Sequence, residues 1–256
     1  MKIIKCCIAA YLVFALGQAY AQQASVAGQG YYDESDFGKF YLRIGINLPQ
    51  GHLKNKFDPA IPVYENMGKN GGMQASTGFN FELGRYFFFH EDPIHDLFKV
   101  GLDATFLSLG YNAFEWPALP SSSGSGKYDL TTIAVKFGPV VSFNVFEDVY
   151  ADVFAKFAPT VVSSFEAPDF YIEDGSGNYT EFSFYSDNPI LFGWKGDFGV
   201  NLRYKKGTLT LGYESGSFNT KSYYYVSDGA GTEDGGIFEQ KMPMGIFQVR
   251  LGVQFQ

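Results

Sequence analysis

The sequence predicts an all-β fold, an eight-stranded antiparallel up-and-down transmembrane β-barrel, and three observations carry that prediction. Segment after segment alternates apolar and polar residues with a period of two, the pattern of strands that show one apolar and one polar face. The connections between these segments alternate between long and short. Beyond a short N-terminal run, no stretch is apolar for long enough to form a membrane helix, so a chain of this kind in a membrane must be a closed barrel.

The N-terminus reads as a secretory signal peptide, residues 1–21. Lys2 and Lys5 precede an apolar run from Ile8 to Leu16, and Ala19-Tyr20-Ala21 fits a small-x-small cleavage site. Cleavage would remove Cys6 and Cys7, the only cysteines, and leave an exported chain without disulfides. Seventeen basic residues would then face 27 acidic ones, a net charge of −10, which argues against nucleic acid as a partner. Residues 22–38 are Gly- and acid-rich with weak periodicity and read as a flexible lead-in to a barrel over residues 39–256.

The first strand sets Phe40, Leu42, Ile44, Ile46 and Leu48 against Tyr41, Arg43, Gly45 and Asn47. A long loop at 49–72 leads to the second, with Phe79, Phe81 and Leu83 opposite Asn80 and Glu82. The short connection HEDPIHD precedes the third, where Val100, Leu102, Ala104 and Phe106 oppose Gly101, Asp103 and Thr105. After a Ser/Gly-rich loop at 112–127, the fourth places Ile133, Val135, Phe137, Val141 and Phe143 opposite Thr132, Lys136, Gly138, Ser142 and Asn144. Glu147-Asp148 turns the chain into the fifth, with Val149, Ala151, Val153 and Phe157 opposite Tyr150, Asp152 and Lys156; Phe154 breaks its polar side. A loop at 166–190 precedes the sixth, whose Phe192, Trp194, Phe198, Val200, Leu202 and Tyr204 oppose Lys195, Asp197, Gly199, Asn201 and Arg203. Lys205-Lys206-Gly207 is a tight turn into the seventh, with Leu209, Leu211 and Tyr213 opposite Thr210, Gly212 and Glu214. A Gly/Asp-rich loop at 225–240 returns the chain to the last strand, where Phe247, Val249, Leu251, Val253 and Phe255 oppose Gln248, Arg250, Gly252 and Gln254.

Alternation alone does not orient the barrel, because a soluble lipocalin-like barrel would show the same period with the apolar face inward. Three features favour lipid outside: a bulky apolar face about ten residues long per strand, a polar face mixing glycines with charges of both signs, and the long-short loop rhythm. The aromatic share of 18%, from 27 Phe, 18 Tyr and 2 Trp, suits the girdles of a membrane barrel. In that orientation the lumen would hold a structural network of Arg43, Glu82, Asp103, Lys136, Asp152, Lys156, Lys195, Asp197, Arg203, Glu214 and Arg250. Near-equal numbers of opposite charges in a low-dielectric space imply pairing, and a bore this small leaves no open pore. Substituting Leu251 or Val200 by Arg is then costly, and Asn201→Ser mild.

This layout, with an aromatic next to last on the apolar face of the final strand, resembles small bacterial outer-membrane β-barrel proteins of the porin-like or OmpX/OmpW/PorT-like kind. The resemblance spans the mature chain, although the targeting signal of that group usually ends on the aromatic and here Gln256 follows. It implies a Gram-negative cell outer membrane, short periplasmic turns, long extracellular loops and a monomer. Its partners would be outer-membrane lipid, the barrel-assembly machinery acting through the C-terminal strand, and an extracellular ligand or protein at the loops.

No motif for chemistry rises above this background, and the sequence predicts no enzyme, no cofactor and no metal site. His90 and His95 lie beside Glu91, Asp92 and Asp96, but a spacing of five in a turn is not a ligand pattern. GSGKY at 124–128 departs from a phosphate loop at Ser121 and Tyr128, and DGAGTEDGG at 228–236 lacks EF-hand order. The acidic third long loop, with Glu166, Asp169, Glu173, Asp174, Glu181 and Asp187, reads as solvated. Recognition is expected at the loops, where Tyr171, Tyr179, Tyr223, Tyr224 and Tyr225 are the contact candidates. The alternatives are a narrow channel for small or apolar solutes, a secretion-accessory barrel, and a membrane-embedded hydrolase using His52.

Overall fold

The computed structural model describes residues 40–55, 75–89, 98–115, 127–146, 149–163, 167–173, 179–186, 190–227 and 233–255. The signal segment, the lead-in, and His90 and His95 lie outside the described residues. Ten strands are present: β1 (Phe40–Gln50), β2 (Gly78–Phe88), β3 (Phe98–Glu115), β4 (Lys127–Phe146), β5 (Val149–Ser163), β6 (Ala167–Glu173), β7 (Tyr179–Ser186), β8 (Ile190–Tyr204), β9 (Gly207–Ser227) and β10 (Glu233–Phe255). Eight of them close a ring in the order β1-β2-β3-β4-β5-β8-β9-β10, and β10 pairs back onto β1. Every pairing around the ring is antiparallel.

The ring is apolar outside and polar inside, which separates it from a soluble barrel. Phe192, Trp194 and Leu251 are 73%, 61% and 62% exposed, and Ile44, Phe79, Ile133, Phe137, Val153, Phe198 and Val253 are exposed with them. The buried set is mostly polar, made of charged, amide and hydroxyl side chains from the alternate positions. Aromatic pairs mark both ends of the wall. Phe40 stacks on Phe255 and Phe98 meets Phe143 at the rim that carries the chain ends, while Phe79 stacks on Tyr111 at the opposite rim. Outward-facing Arg85 lies over the rings of Phe40 and Phe87, its stem on the apolar wall and its head at the edge.

One irregularity resets the alternation. The ladder slips between Leu83 and Gly84 on the β2–β3 side and between Thr105 and Ser108 on the β3–β4 side, leaving Phe106 and Leu107 as a bulge. Thr105 and Ser108 both face inward as a result, although an uninterrupted period of two would send them to opposite faces.

Two of the expected loops are corrected. The segment 166–190 contains the β6–β7 hairpin, and most of 225–240 is strand, since β9 runs to Ser227 and β10 begins at Glu233. Beyond its last pairing with β8 at Phe218, β9 continues through residues 219–227, roughly 30 Å of strand. There β10 pairs it on one side and β7 on the other, so β6, β7 and the outer halves of β9 and β10 form a sheet standing beyond the barrel wall. The physical reason lies in composition: Tyr, Phe, Thr and Ser suit strands once neighbouring ladders satisfy their backbone groups.

Candidate functional site

The lumen is layered along the barrel axis. In the half toward the chain ends, Tyr41, Tyr86, Phe88, Val140 and Phe154 form an apolar, mostly aromatic cluster. Charges lie on both sides of it, and beyond them is an amide layer in which Asn80 and Gln248 both donate to Asn47 Oδ1, at 2.7 and 2.9 Å. Toward the other rim the inward side chains become apolar: Leu130, Val162, Leu191, Phe218, Met242, Met244 and Ile246. A 3-10 helix at Gly51–Lys54 turns back against β10 and buries Leu53 among the described residues of this outer half. Gly51, at φ 58°, supplies the left-handed step that starts this turn.

All eleven charged residues expected in the lumen are brought into one buried network. Lys136 is its hub: its Nζ donates to Glu82 Oε1 at 2.6 Å, to Asp197 Oδ2 at 2.9 Å and to Glu214 Oε1. Arg250 pairs with Glu82 and, at 3.2 Å, with Asp197, while Lys195 pairs with Glu214 at 2.6 Å. Lys156 bonds Asp103 at 3.2 Å and rests its ammonium 4.6 Å above the Phe154 ring. The residue that breaks the polar side of β5 therefore serves the network as a cation–π partner.

A second cluster sits nearer the chain ends. Arg203 holds Asp152 with two bonds, at 2.7 and 3.0 Å, and also donates to Ser142 Oγ at 2.7 Å. Asn201 donates to Asp152 and to Tyr86 OH, and accepts from Thr210. Arg43 lies 3.8 Å from the centroid of the Tyr41 ring, donates to Tyr86 OH, and faces Glu82 and Asp103 at 3.6 and 3.9 Å. The expectation that Asn201→Ser is mild is corrected by these contacts, because the shorter side chain cannot reach three partners.

Glu82, Asp197 and Glu214 offer three carboxylate oxygens within 4.8 Å of one another, a donor set that in isolation suits a divalent cation. The Lys136 ammonium bonds all three, so the cation these carboxylates hold is the protein's own. Tyr171, Tyr179, Tyr223, Tyr224 and Tyr225 are corrected from loops to strands: Tyr171 is on β6, Tyr179 on β7, and the other three on the outer half of β9, paired with β7 and β10. Their side chains lie outside the described residues, as does that of His52 in the 3-10 helix.

No protein-family model matches the chain, and no curated protein matches it. Eight chains of solved structures match. One is the transport unit of the autotransporter AIDA-I from Escherichia coli, at 10% identity and a TM-score of 0.34, covering 95% of this chain and 97% of that one. Superposition that loose carries no argument about role, and the barrel stands on its own closed ladder of pairings. None of these comparisons supports the expected OmpX/OmpW/PorT-like family.

Sequence reasoning missed Tyr41, Tyr86 and Asn201 as members of the network. The signal was present, since all three occupy polar-face positions, but a phenol or an amide among charges gives no hint of its partner before register is known.

Proposed function

We propose that this protein is a non-enzymatic barrel of the Gram-negative outer membrane, with a sealed, charge-paired lumen as scaffold and the sheet beyond its wall as the part that meets other molecules. The observation that carries this reading is the state of the network: Arg43, Glu82, Asp103, Lys136, Asp152, Asp197 and Arg250 are 0% exposed and tied across the bore. A solute path would have to part these pairs, and uncovering charges in so low a dielectric is costly. The exposed apolar belt with aromatic pairs at both rims supports residence in lipid.

In this reading residues 1–21 direct export and the tight turns face the periplasm. The β10 strand presents the assembly signal, the barrel is a monomer, and no cofactor or metal is required. Recognition falls to β6, β7 and the outer halves of β9 and β10. The test is conductance of the purified full-length protein in planar bilayers. Traces indistinguishable from protein-free membranes are expected, and steady ohmic steps would overturn the sealed lumen. A second reading, a narrow path for apolar solutes, draws on the apolar outer half of the lumen around Phe218, Met242 and Met244. Uptake of such a solute into proteoliposomes would favour it.

A further inference from the structure

The edge of the apolar belt away from the chain ends is not level. On β9 the outward positions turn polar at Ser215: Leu209, Leu211 and Tyr213 stand below it, Ser217, Asn219 and Lys221 above it. On β10 the large apolar residues stop at Phe247, and Gly245, Pro243, Lys241 and Glu239 follow. Tyr213 marks this level, because its hydroxyl leans over Gly245, where a Cβ would lie 2.8 Å from it. The neighbouring β8 shows no such change. Gly196 is the partner of Ser215, and beyond it Trp194, Phe192 and Ile190 all face outward and are exposed. From Gly196 to Ile190 the apolar stripe thus runs on for roughly 20 Å of strand beside a polar neighbour. On its other side β5 widens the stripe, with Pro159 and Val161 opposite Trp194 and Phe192, and Phe157 stacked on Trp194 at 4.9 Å.

The ladders join this stripe to polar groups on one continuous face. Trp194 stands opposite Ser217, and Ser217 opposite Pro243. One step higher, Phe192 is next in line with Asn219, which stands opposite Lys241. Lys221 is held by Glu239 at 3.8 Å, whereas Lys241 is exposed and forms no ion pair among the described residues. Two strand spacings separate Phe192 from Lys241, about 10 Å, a span that a sugar ring and its phosphate can bridge. An apolar stripe this tall has its lower part in lipid and its upper part beside groups that require water, and a contiguous apolar patch left in that position marks a binding surface.

We propose that the outward face of β8, β9 and β10 at this rim binds one glycolipid of the outer leaflet by its phosphorylated sugar headgroup. The acyl chains lie along Phe157, Phe198 and Trp194, a sugar ring sets its C–H face on Phe192, Ser217 and Asn219 bond its hydroxyls, and Lys241 takes the phosphate. A phospholipid fits less well. It has no ring for Phe192, and its phosphate would lie near the Tyr213 hydroxyl, whereas Lys241 is four residues beyond Gly245, roughly 13 Å along the strand. The site rests on residence in the outer membrane and adds to it a defined lipid on a defined part of the wall.

The experiment titrates bisphosphorylated lipid A, the probe, into the full-length protein in detergent micelles, with phosphatidylglycerol as the comparison, and reads the lipid-bound fraction by native mass spectrometry. One lipid A per chain is expected, bound about tenfold more tightly than phosphatidylglycerol. Lys241→Ala should weaken it about tenfold, the loss of one charge-assisted hydrogen bond, and Phe192→Ala should weaken it as well. Lys206→Ala, at the opposite rim, should leave it unchanged. Equal binding of the two lipids, or wild-type affinity in Lys241→Ala, would overturn the proposal. A heat-modifiable barrel that does not prefer lipid A sinks this site alone, whereas a folded protein recovered without detergent sinks the membrane reading beneath it.

Discussion

Replacing Lys136 by Met removes the cation at the centre of the lumen while keeping most of the side-chain volume. Three carboxylates lose a shared partner, but not their last one: Glu82 and Asp197 keep Arg250, and Glu214 keeps Lys195 at 2.6 Å. The loss is therefore that of one buried ion-pair partner rather than three, about 3–5 kcal/mol. Against a total folding stability of about 5–15 kcal/mol, this is a large fraction. The assay is urea unfolding of the barrel refolded in lipid vesicles, followed by gel mobility and by fluorescence of the outward-facing Trp194. Lys221→Met is the control. Its ammonium is partly exposed and 3.8 Å from Glu239, a pair worth about 0–1 kcal/mol. Because Glu82, Asp197 and Glu214 lie within 4.8 Å of one another, manganese or calcium should restore stability to Lys136→Met and leave wild type unchanged. If Lys136→Met unfolds within about 1 kcal/mol of wild type, or no more easily than Lys221→Met, the network does not hold the barrel together and the reasoning fails.

Leu251→Arg and Val200→Arg should each cost about 2–4 kcal/mol in vesicles, since both positions face outward from the barrel wall, whereas equal stability in water and in lipid would contradict a membrane wall. Asn201→Ser should cost about 1–3 kcal/mol through the partners it abandons on Asp152 and Tyr86, measured by the same unfolding curves. Gly212→Val should cost about 1–3 kcal/mol, because a Cβ there strikes the Arg250 guanidinium and comes within 3.3 Å of Asp197 Oδ1; an unshifted curve would refute the packing. Replacing residues 164–189 by a two-residue Asn-Gly turn should leave a heat-modifiable barrel, since Ser163 stands directly opposite Ile190 in the β5–β8 ladder. Retention of all binding by that variant would move recognition away from β6 and β7.

The eight barrel strands were legible because each keeps one alternation for long enough to identify its polar face. The charged lumen was legible for the same reason: a residue such as Lys136 or Asp197 is assigned to the interior by parity alone. Partners were not legible, since Lys136 meets Glu82, Asp197 and Glu214 from three other strands and the meeting depends on stagger around a closed ring. The hairpin, the tip of β9 and the outer half of β10 read as loops because Gly, Asp and Ser interrupt them and neither face is consistently apolar. Outside a membrane wall nothing imposes that code, so strand there is fixed by its neighbours. The Phe106-Leu107 bulge is a third case, where one extra residue changes parity without any compositional mark.

The seam between β1 and β10 has a kinetic consequence. It runs the full length of β1, from Phe40 opposite Phe255 to Gln50 opposite Gly245, and its Gln248–Asn47 hydrogen bond joins residues 201 apart in sequence. Bringing chain ends that distant together costs about 5 kcal/mol of loop-closure entropy. The cost falls before the seam returns any bonds, so sealing belongs at the end of folding. Until then the sheet carries two bare edges able to template pairing with other chains, which makes the unsealed intermediate the species most in need of escort. After sealing, no edge of the ring is left from which to peel a strand. Unfolding must then begin by opening one of the eight closed ladders, so the lifetime of the folded protein is set by a barrier rather than by fraying.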